Sequence, residues 1–354
     1  MALSYRENYI RNATFSGPEY IPCNVAILPA TWKKLREELE DVLARHPVLF
    51  PNFRRGARDF DAIDERHRAG TFTDPWGCVW HNAAEGIVGI PTEAPLASWE
   101  ALESYRPPDP ARFDHFGPIN WEQRLRAIRQ AKERGQLAVG HVAHGFMFMR
   151  LYYLRGFENF MLDVAADEPR LQRLVNMVER FNQYYVQQYL SVGVDMVSFG
   201  DDLGTQRASM LSPKQFAKWI APSYTRLMKP LRDAGILVYL HSDGHIMEIA
   251  DQLINCGVCI LNLQDMVNGL ENIERELKGR ICIRLDLDRQ YTIPFGTRKE
   301  IRQLIEEAVR RLGSPRGGLE LQLELSPSVP PENADAALSA IEEFRTYWWD
   351  GRGG

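Results

Sequence analysis

Leu319-Glu320-Leu321-Gln322-Leu323-Glu324-Leu325 is the stretch that separates the candidate folds of this chain. Leucines alternate with polar residues, the two-residue period of a β-strand with one apolar and one polar face. A strand inside an open parallel sheet is apolar on both faces, because helices cover both. A strand polar on one face suits a closed barrel whose inner face opens at a C-terminal mouth. Ile281-Cys282-Ile283-Arg284-Leu285-Asp286-Leu287-Asp288 repeats the pattern and gathers Cys282, Arg284, Asp286 and Asp288 on one side. An inward Arg284 needs a counter-charge, so it is expected to pair with Glu320, Glu324 or Asp286. The alternative is an open sheet whose polar face meets solvent.

Working outward, strands are expected at 137–141, 196–200, 238–241, 259–264, 281–286 and 319–325. Helices are expected near 168–191, 213–233, 245–255, 270–278, 298–312 and 332–348, with Ser212-Pro213 as a start signal and Gly193, Gly235 and Gly257 as stops. Six strand–helix units in a row imply parallel strands. Earlier in the chain, 20–28 reads as a first strand and 31–45 as a helix. Residues from about 50 to 110 are rich in Gly, Pro and Trp with little periodicity, and read as an irregular cap over the barrel mouth. The expectation is a single (β/α)8 TIM-barrel domain over 1–354 with this long N-terminal insertion.

A net charge of −5 and the lack of a basic run argue against nucleic acid as a partner. No apolar window is long enough to span a membrane, and MALSYRENYIRNATF lacks an apolar signal core. Cys23, Cys78, Cys256, Cys259 and Cys282 form no disulfide-scaffold spacing, and Cys256-x-x-Cys259 reads as two core thiols. A cytoplasmic protein is expected. No G-x-S-x-G elbow occurs, so acyl-transfer hydrolysis is not indicated.

The strand ends collect His141 or His144, Asp201, Asp202, His241, Asp243, Gln264, Asp265, Asp286, Asp288 and Glu324. In a barrel these converge on one mouth. A histidine beside carboxylates can hold a divalent metal or act as an acid–base pair. Asp243, or one of Asp201 and Asp202, could instead cap a neighbouring helix or turn. Glu324 among leucines at a strand end calls for a specific role.

Three segments carry a family resemblance: Phe199-Gly200-Asp201-Asp202-Leu203-Gly204-Thr205, Leu240-His241-Ser242-Asp243-Gly244, and Pro330-Pro331-Glu332-Asn333. Over residues 22 to 348 the chain resembles the uroporphyrinogen decarboxylase superfamily, which implies a (β/α)8 barrel. The superfamily holds porphyrinogen decarboxylases and methyltransferases that work with corrinoid proteins. The Arg-rich R-Q-A-G-R type motif of the decarboxylases is absent near Asn24 and elsewhere. The methyltransferase branch binds zinc through an H-x-C pair and a later Cys; here His241 matches the His, Asp243 stands at the Cys, and Glu324-Leu325-Ser326 occupies the last position.

The resemblance therefore implies an N/O zinc site of His241, Asp243 and Glu324, with Asp202, Asp243 and His241 as catalytic groups. Asn24, Trp76, Trp80, His144, Asp201 and Gln264 are the expected substrate contacts. The implied reaction moves a methyl group from an O- or N-methylated small molecule, such as an aryl methyl ether, to a corrinoid protein carrying cob(I)alamin. A homodimer is also compatible with the barrel exterior. The alternative is a metal-independent decarboxylase-like lyase, using Asp202 and His241 for proton transfer and Arg150, Arg155 or Arg207 to hold carboxylates.

Overall fold

In the computed structural model, which describes residues 3–353, the strands of the second part form largely where side-chain alternation puts them. They are β1 (Cys23–Ile27), β2 (Gly70–Thr73), β3 (Val79–Asn82), β4 (Ile90–Glu93), β5 (Val139–His144), β6 (Met196–Gly200), β7 (Leu237–His241), β8 (Ile260–Gln264), β9 (Cys282–Asp286) and β10 (Leu319–Leu325). The chain falls into two compact units. One comprises the chain up to Gly70, Asn82–Val88 and everything from Asn262 onward; the other comprises Thr71–His81 and Gly89–Leu261. β8 starts in the second and ends in the first.

The first unit contains the strand order β1–β10–β9–β8. Cys23 to Ile27 run parallel to Leu321 to Leu325, and Leu319 to Gln322 parallel to Ile283 to Asp286. The leucines of β10 are buried, and its polar face makes a connected network. Arg284 Nε lies 3.5 Å from Glu320 and donates to Gln322 Oε1 at 2.9 Å. Tyr9 Oη donates to Glu320 at 3.0 Å, and Asn24 Nδ2 to Gln322 at 2.8 Å. The counter-charge expected for Arg284 is thus Glu320, whose own pKa is raised by full burial.

The second unit contains β7–β6–β5, all parallel, with Met196 to Gly200 opposite Leu237 to His241. Each of these strands runs on into the helices that cover it, such as Leu171–Val192, which stops at Gly193 in a left-handed conformation. The stretch expected as one helix over 213–233 is two, Pro213–Trp219 and Ala221–Asp233, since Pro222 opens the second. No helix of the described residues is long and apolar enough to cross a membrane.

The segment expected as an irregular cap holds a three-stranded sheet, β2–β3–β4. Trp76 and Trp80 are 1% and 2% exposed, which corrects their expected place in a substrate pocket. Buried Asp74 organises them. Its carboxylate accepts from the backbone N–H of Trp76 and Cys78 at 2.9 and 3.0 Å, from Trp80 Nε1 at 3.0 Å and from Arg150 at 2.6 Å. Trp80 stands edge-on to Tyr153, and Arg150 lies 5.4 Å from the Trp76 ring. These aromatics are framework for the helix Phe148–Arg155.

Candidate metal and active site

The site grows from three adjacent strand ends in the second unit. β5 opposes β6 at His141–Ser198 and again at His144–Gly200, so three residues of β5 span two of β6. The extra residue is a bulge. Ser198 and Gly200 face the same side of β6, and the bulge turns both His141 and His144 to that side. A Cβ on Gly200 would stand 2.7 Å from His144 Nδ1, so only glycine leaves the ring room. Gly200→Ala is expected to swing His144 away from the group described below. Metal binding in that variant should weaken by ~10–100-fold, as when an orienting neighbour of a metal site is lost, which an equilibrium titration would measure.

His241 closes the rung at the end of β7, opposite Gly200. The loops after β6 and β7 are then joined bond by bond. Asp201 N donates to His241 O at 3.0 Å, Leu203 N to Ser242 Oγ at 3.0 Å, and Asp243 N to Asp202 Oδ1 at 3.1 Å. Gly204 N donates to Asp243 O at 3.2 Å and His245 N to Thr205 O at 2.7 Å. The loops touch so closely that a Cβ on Gly244, whose φ is +83°, would lie 2.2 Å from the Gly204 carbonyl carbon. Two strand-end loops locked this way hold their side chains in fixed geometry.

The neighbouring carboxylates Asp201 and Asp202 have opposite environments. Asp201 is fully buried and accepts from the backbone N–H of Phe148 (2.5 Å) and Met149 (2.8 Å) and from Tyr224 Oη (2.9 Å). It caps the helix Phe148–Arg155 from 53 residues away, and burial pushes its pKa up to about 6 in spite of those bonds. Asp201 is therefore a framework group, not the substrate contact expected of it.

Asp202 faces the site. Its Oδ2 lies 3.2 Å from His144 Nε2 and its Oδ1 3.6 Å from His241 Nε2. Burial alone would raise the Asp202 pKa, but the His144 hydrogen bond and the charges of His144 and His241 hold it down at about 2. Burial likewise opposes charge on His144, yet Asp202, followed by the charges of Asp201 and Asp243, raises its pKa. Asp243 Oδ1 adds a fourth donor 3.5 Å from His241 Nε2. Donor atoms of His144, Asp202 and His241 all lie within 4.8 Å of one another.

These separations suit a zinc-sized ion. Donors at ~2.0–2.1 Å in a tetrahedron stand ~3.3–3.4 Å apart, and the 3.2, 3.5 and 3.6 Å spacings bracket that edge. The mutually close set is two imidazoles and one carboxylate, with the Asp243 carboxylate beside His241. Cysteine is not part of it: Cys256 Sγ bonds Ala221 O and Cys259 Sγ bonds Val238 O.

The other expected site residues belong to the first unit. Glu324 lies 3.0 Å from Arg289, which also stands 3.5 Å from Asp286. Buried Gln264 borders a small recess with Asp265, Asp286, Asp288 and Arg289. Asp288 accepts from the backbone N–H of Gln290, Tyr291 and Thr292 and so shapes its own turn, while burial lifts the Asp265 pKa to about 7. Asn24 is engaged with Gln322. Of the sequence-stated candidates, the structure brings together His144, Asp202, His241 and Asp243. The place of His144 as a donor was hidden because it depends on the bulge.

Parallel strand–helix units with a histidine–carboxylate group at the strand ends define an α/β protein built to hold a reactive site on its loops. The chain belongs to the uroporphyrinogen decarboxylase family: the model of "Uroporphyrinogen decarboxylase (URO-D)" matches residues 84–344. It is similar to the uroporphyrinogen decarboxylase of Prochlorococcus marinus (strain MIT 9303), 23% identical over 252 residues, or 68% of this chain and 67% of that one. It is similar at 23% over 245 residues to that of Synechococcus sp. (strain CC9605), covering 65% and 67%. Its fold resembles that of a methyltransferase from Methanosarcina mazei, with a TM-score of 0.63 at 15% identity, covering 96% of this chain and 98% of that one.

Proposed function

We propose that the protein is a zinc-dependent methyltransferase that moves a methyl group from an O- or N-methylated small molecule to a corrinoid protein bearing cob(I)alamin. The observation that supports this reading is the convergence of His144, Asp202 and His241 at three adjacent strand ends, with Asp243 beside His241. Bound zinc would supply a Lewis acid that draws charge from the leaving oxygen or nitrogen. His144 and His241 would hold it as neutral imidazoles, with Asp202 between them. Asp243, 33% exposed beside His241, would hold or pass the proton that the leaving group requires. Because no thiolate is among these donors, the ligand set would leave more positive charge on a bound metal than a cysteine-rich one.

The lyase alternative loses two of its three expected clamps and keeps only exposed Arg207. Arg150 is fully buried against Asp74, and Arg155 is tied to Asp163 at 2.7 Å and to Leu96 O at 2.9 Å. Neither can grip a substrate carboxylate.

A pH dependence follows from the same pair. The raised His144 pKa and the lowered Asp202 pKa mean that, without metal, their attraction adds stability above the ordinary carboxylate range, and that this stability is lost as pH rises through the raised His144 value. His144 would have to give up its proton to hold zinc, so apparent zinc affinity is expected to fall as pH drops through that raised value. A zinc titration at several pH values checks this. The function itself is tested by metal analysis, then by following cob(I)alamin absorbance with a panel of methylated aromatics and amines. Zinc at one per chain with methylation by a panel member supports the reading; full activity in chelator overturns it.

A further inference from the structure

A cleft of about 460 Å³ opens beside β5 in the second unit, within the size range of small-molecule sites. Its lining includes Asn120, Gln123, Arg124, Val139, His141 and Tyr189. Arg124 comes from the helix Trp121–Glu133, with its side chain 34% exposed. One of its N–H groups bonds Tyr189 Oη at 3.4 Å, Asp114 stands off at 3.8 Å, and its guanidinium lies 5.6 Å from the Trp121 ring. No other acceptor among the described residues engages the fork, so it keeps donors for a planar anion. Tyr189 Oη in turn donates to His141 O at 2.6 Å, and His141 Nδ1 meets Ser198 Oγ at 2.8 Å. Burial, then the nearby Arg124 charge, lowers the His141 pKa.

The bulge of β5 links this cleft to the candidate metal group. It puts His141 and His144 on one side of the strand, at rungs set by Ser198 and Gly200. Two residues of β6 separate those rungs by about 7 Å. That is the span of one substituted aromatic ring.

We propose that Arg124 and His141 form a carboxylate-anchoring subsite, so that the methyl donor is an anionic, ring-sized molecule bearing its methyl group opposite the carboxylate. This rests on the proposed methyl transfer at the His144–Asp202–His241 group. Arg124 would bind the carboxylate with paired, charge-assisted hydrogen bonds, and His141 and Tyr189 would position it. The far end of the ring then reaches the rung of His144.

The test uses 4-methoxybenzoate, benzoate and neutral methoxybenzene in calorimetric titrations of the full chain and of Arg124→Gln and Arg124→Lys. Both benzoates are expected to bind, with methoxybenzene at least about 10-fold weaker. Arg124→Gln is expected to weaken both benzoates by about 10–100-fold, the range for a charged hydrogen-bonded pair, and Arg124→Lys to restore part of that loss. Thermal unfolding like that of the unmodified chain shows that the variants fold. No benzoate binding at millimolar concentration, or binding indifferent to Arg124, overturns the subsite; the latter would mark a carboxylate held by metal instead. Arg124-dependent binding without any methyl transfer sustains the subsite and overturns the proposed function.

Discussion

Replacing His241 by alanine is expected to weaken zinc binding by more than about 100-fold and to lower methyl transfer at least as much. His241 Nε2 is the donor that faces both carboxylates, Asp202 at 3.6 Å and Asp243 at 3.5 Å. Its loss leaves only His144 as a nitrogen donor. The fold should survive. The loop bonds at this rung come from backbone groups and from the side chains of Ser242 and Asp202, which the substitution leaves in place. A competition titration with a zinc chelator, alongside far-ultraviolet circular dichroism, reads the two effects separately. Near-unchanged affinity in His241→Ala would mean that zinc is held elsewhere.

Asp74→Ala is expected to cost the second unit roughly 3–5 kcal/mol, the range for breaking a fully buried ion pair. Both Asp74 and Arg150 side chains are 0% exposed. The variant strands the Arg150 charge and also removes the acceptor shared by Trp76, Cys78 and Trp80. Four donors lose one partner, so an apolar replacement of Arg150 cannot repair the damage alone. Urea denaturation measures the loss as a lowered midpoint with little change in slope. Since Asp74 lies outside the histidine–carboxylate group, zinc affinity of the remaining folded protein should change far less than stability does.

The alternation in β10 and β9 exposed the polar face of the sheet, and with it the pairing of Arg284 with Glu320. His241, Asp202 and Asp243 were legible because a strand that ends in titratable residues announces them locally. His144 was not legible as their partner: H-V-A-H spacing sends the two histidines of β5 to opposite sides unless a bulge intervenes, and a bulge leaves no mark in hydropathy. Asp201 misled for a related reason. It adjoins Asp202 in sequence, yet it turns inward to cap a helix that begins 53 residues earlier. Trp76 and Trp80 sit in a Gly- and Pro-rich stretch whose strands are only four residues long, too short for a period to show. Their burial depends on Asp74 meeting Arg150 across 76 residues, which no local pattern encodes.

The two ligand sets open to this family member share His241 and differ in the donors that join it. The sequence pointed to Glu324 as a partner of His241, whereas the structure pairs Glu324 with Arg289 and brings His144 to Asp202 and His241. Zinc stoichiometry and affinity measured side by side for His144→Ala and Glu324→Ala decide between them. The account predicts strong loss of zinc in His144→Ala and retention of about one zinc per chain in Glu324→Ala. Full zinc binding by His144→Ala, with loss in Glu324→Ala, would contradict it.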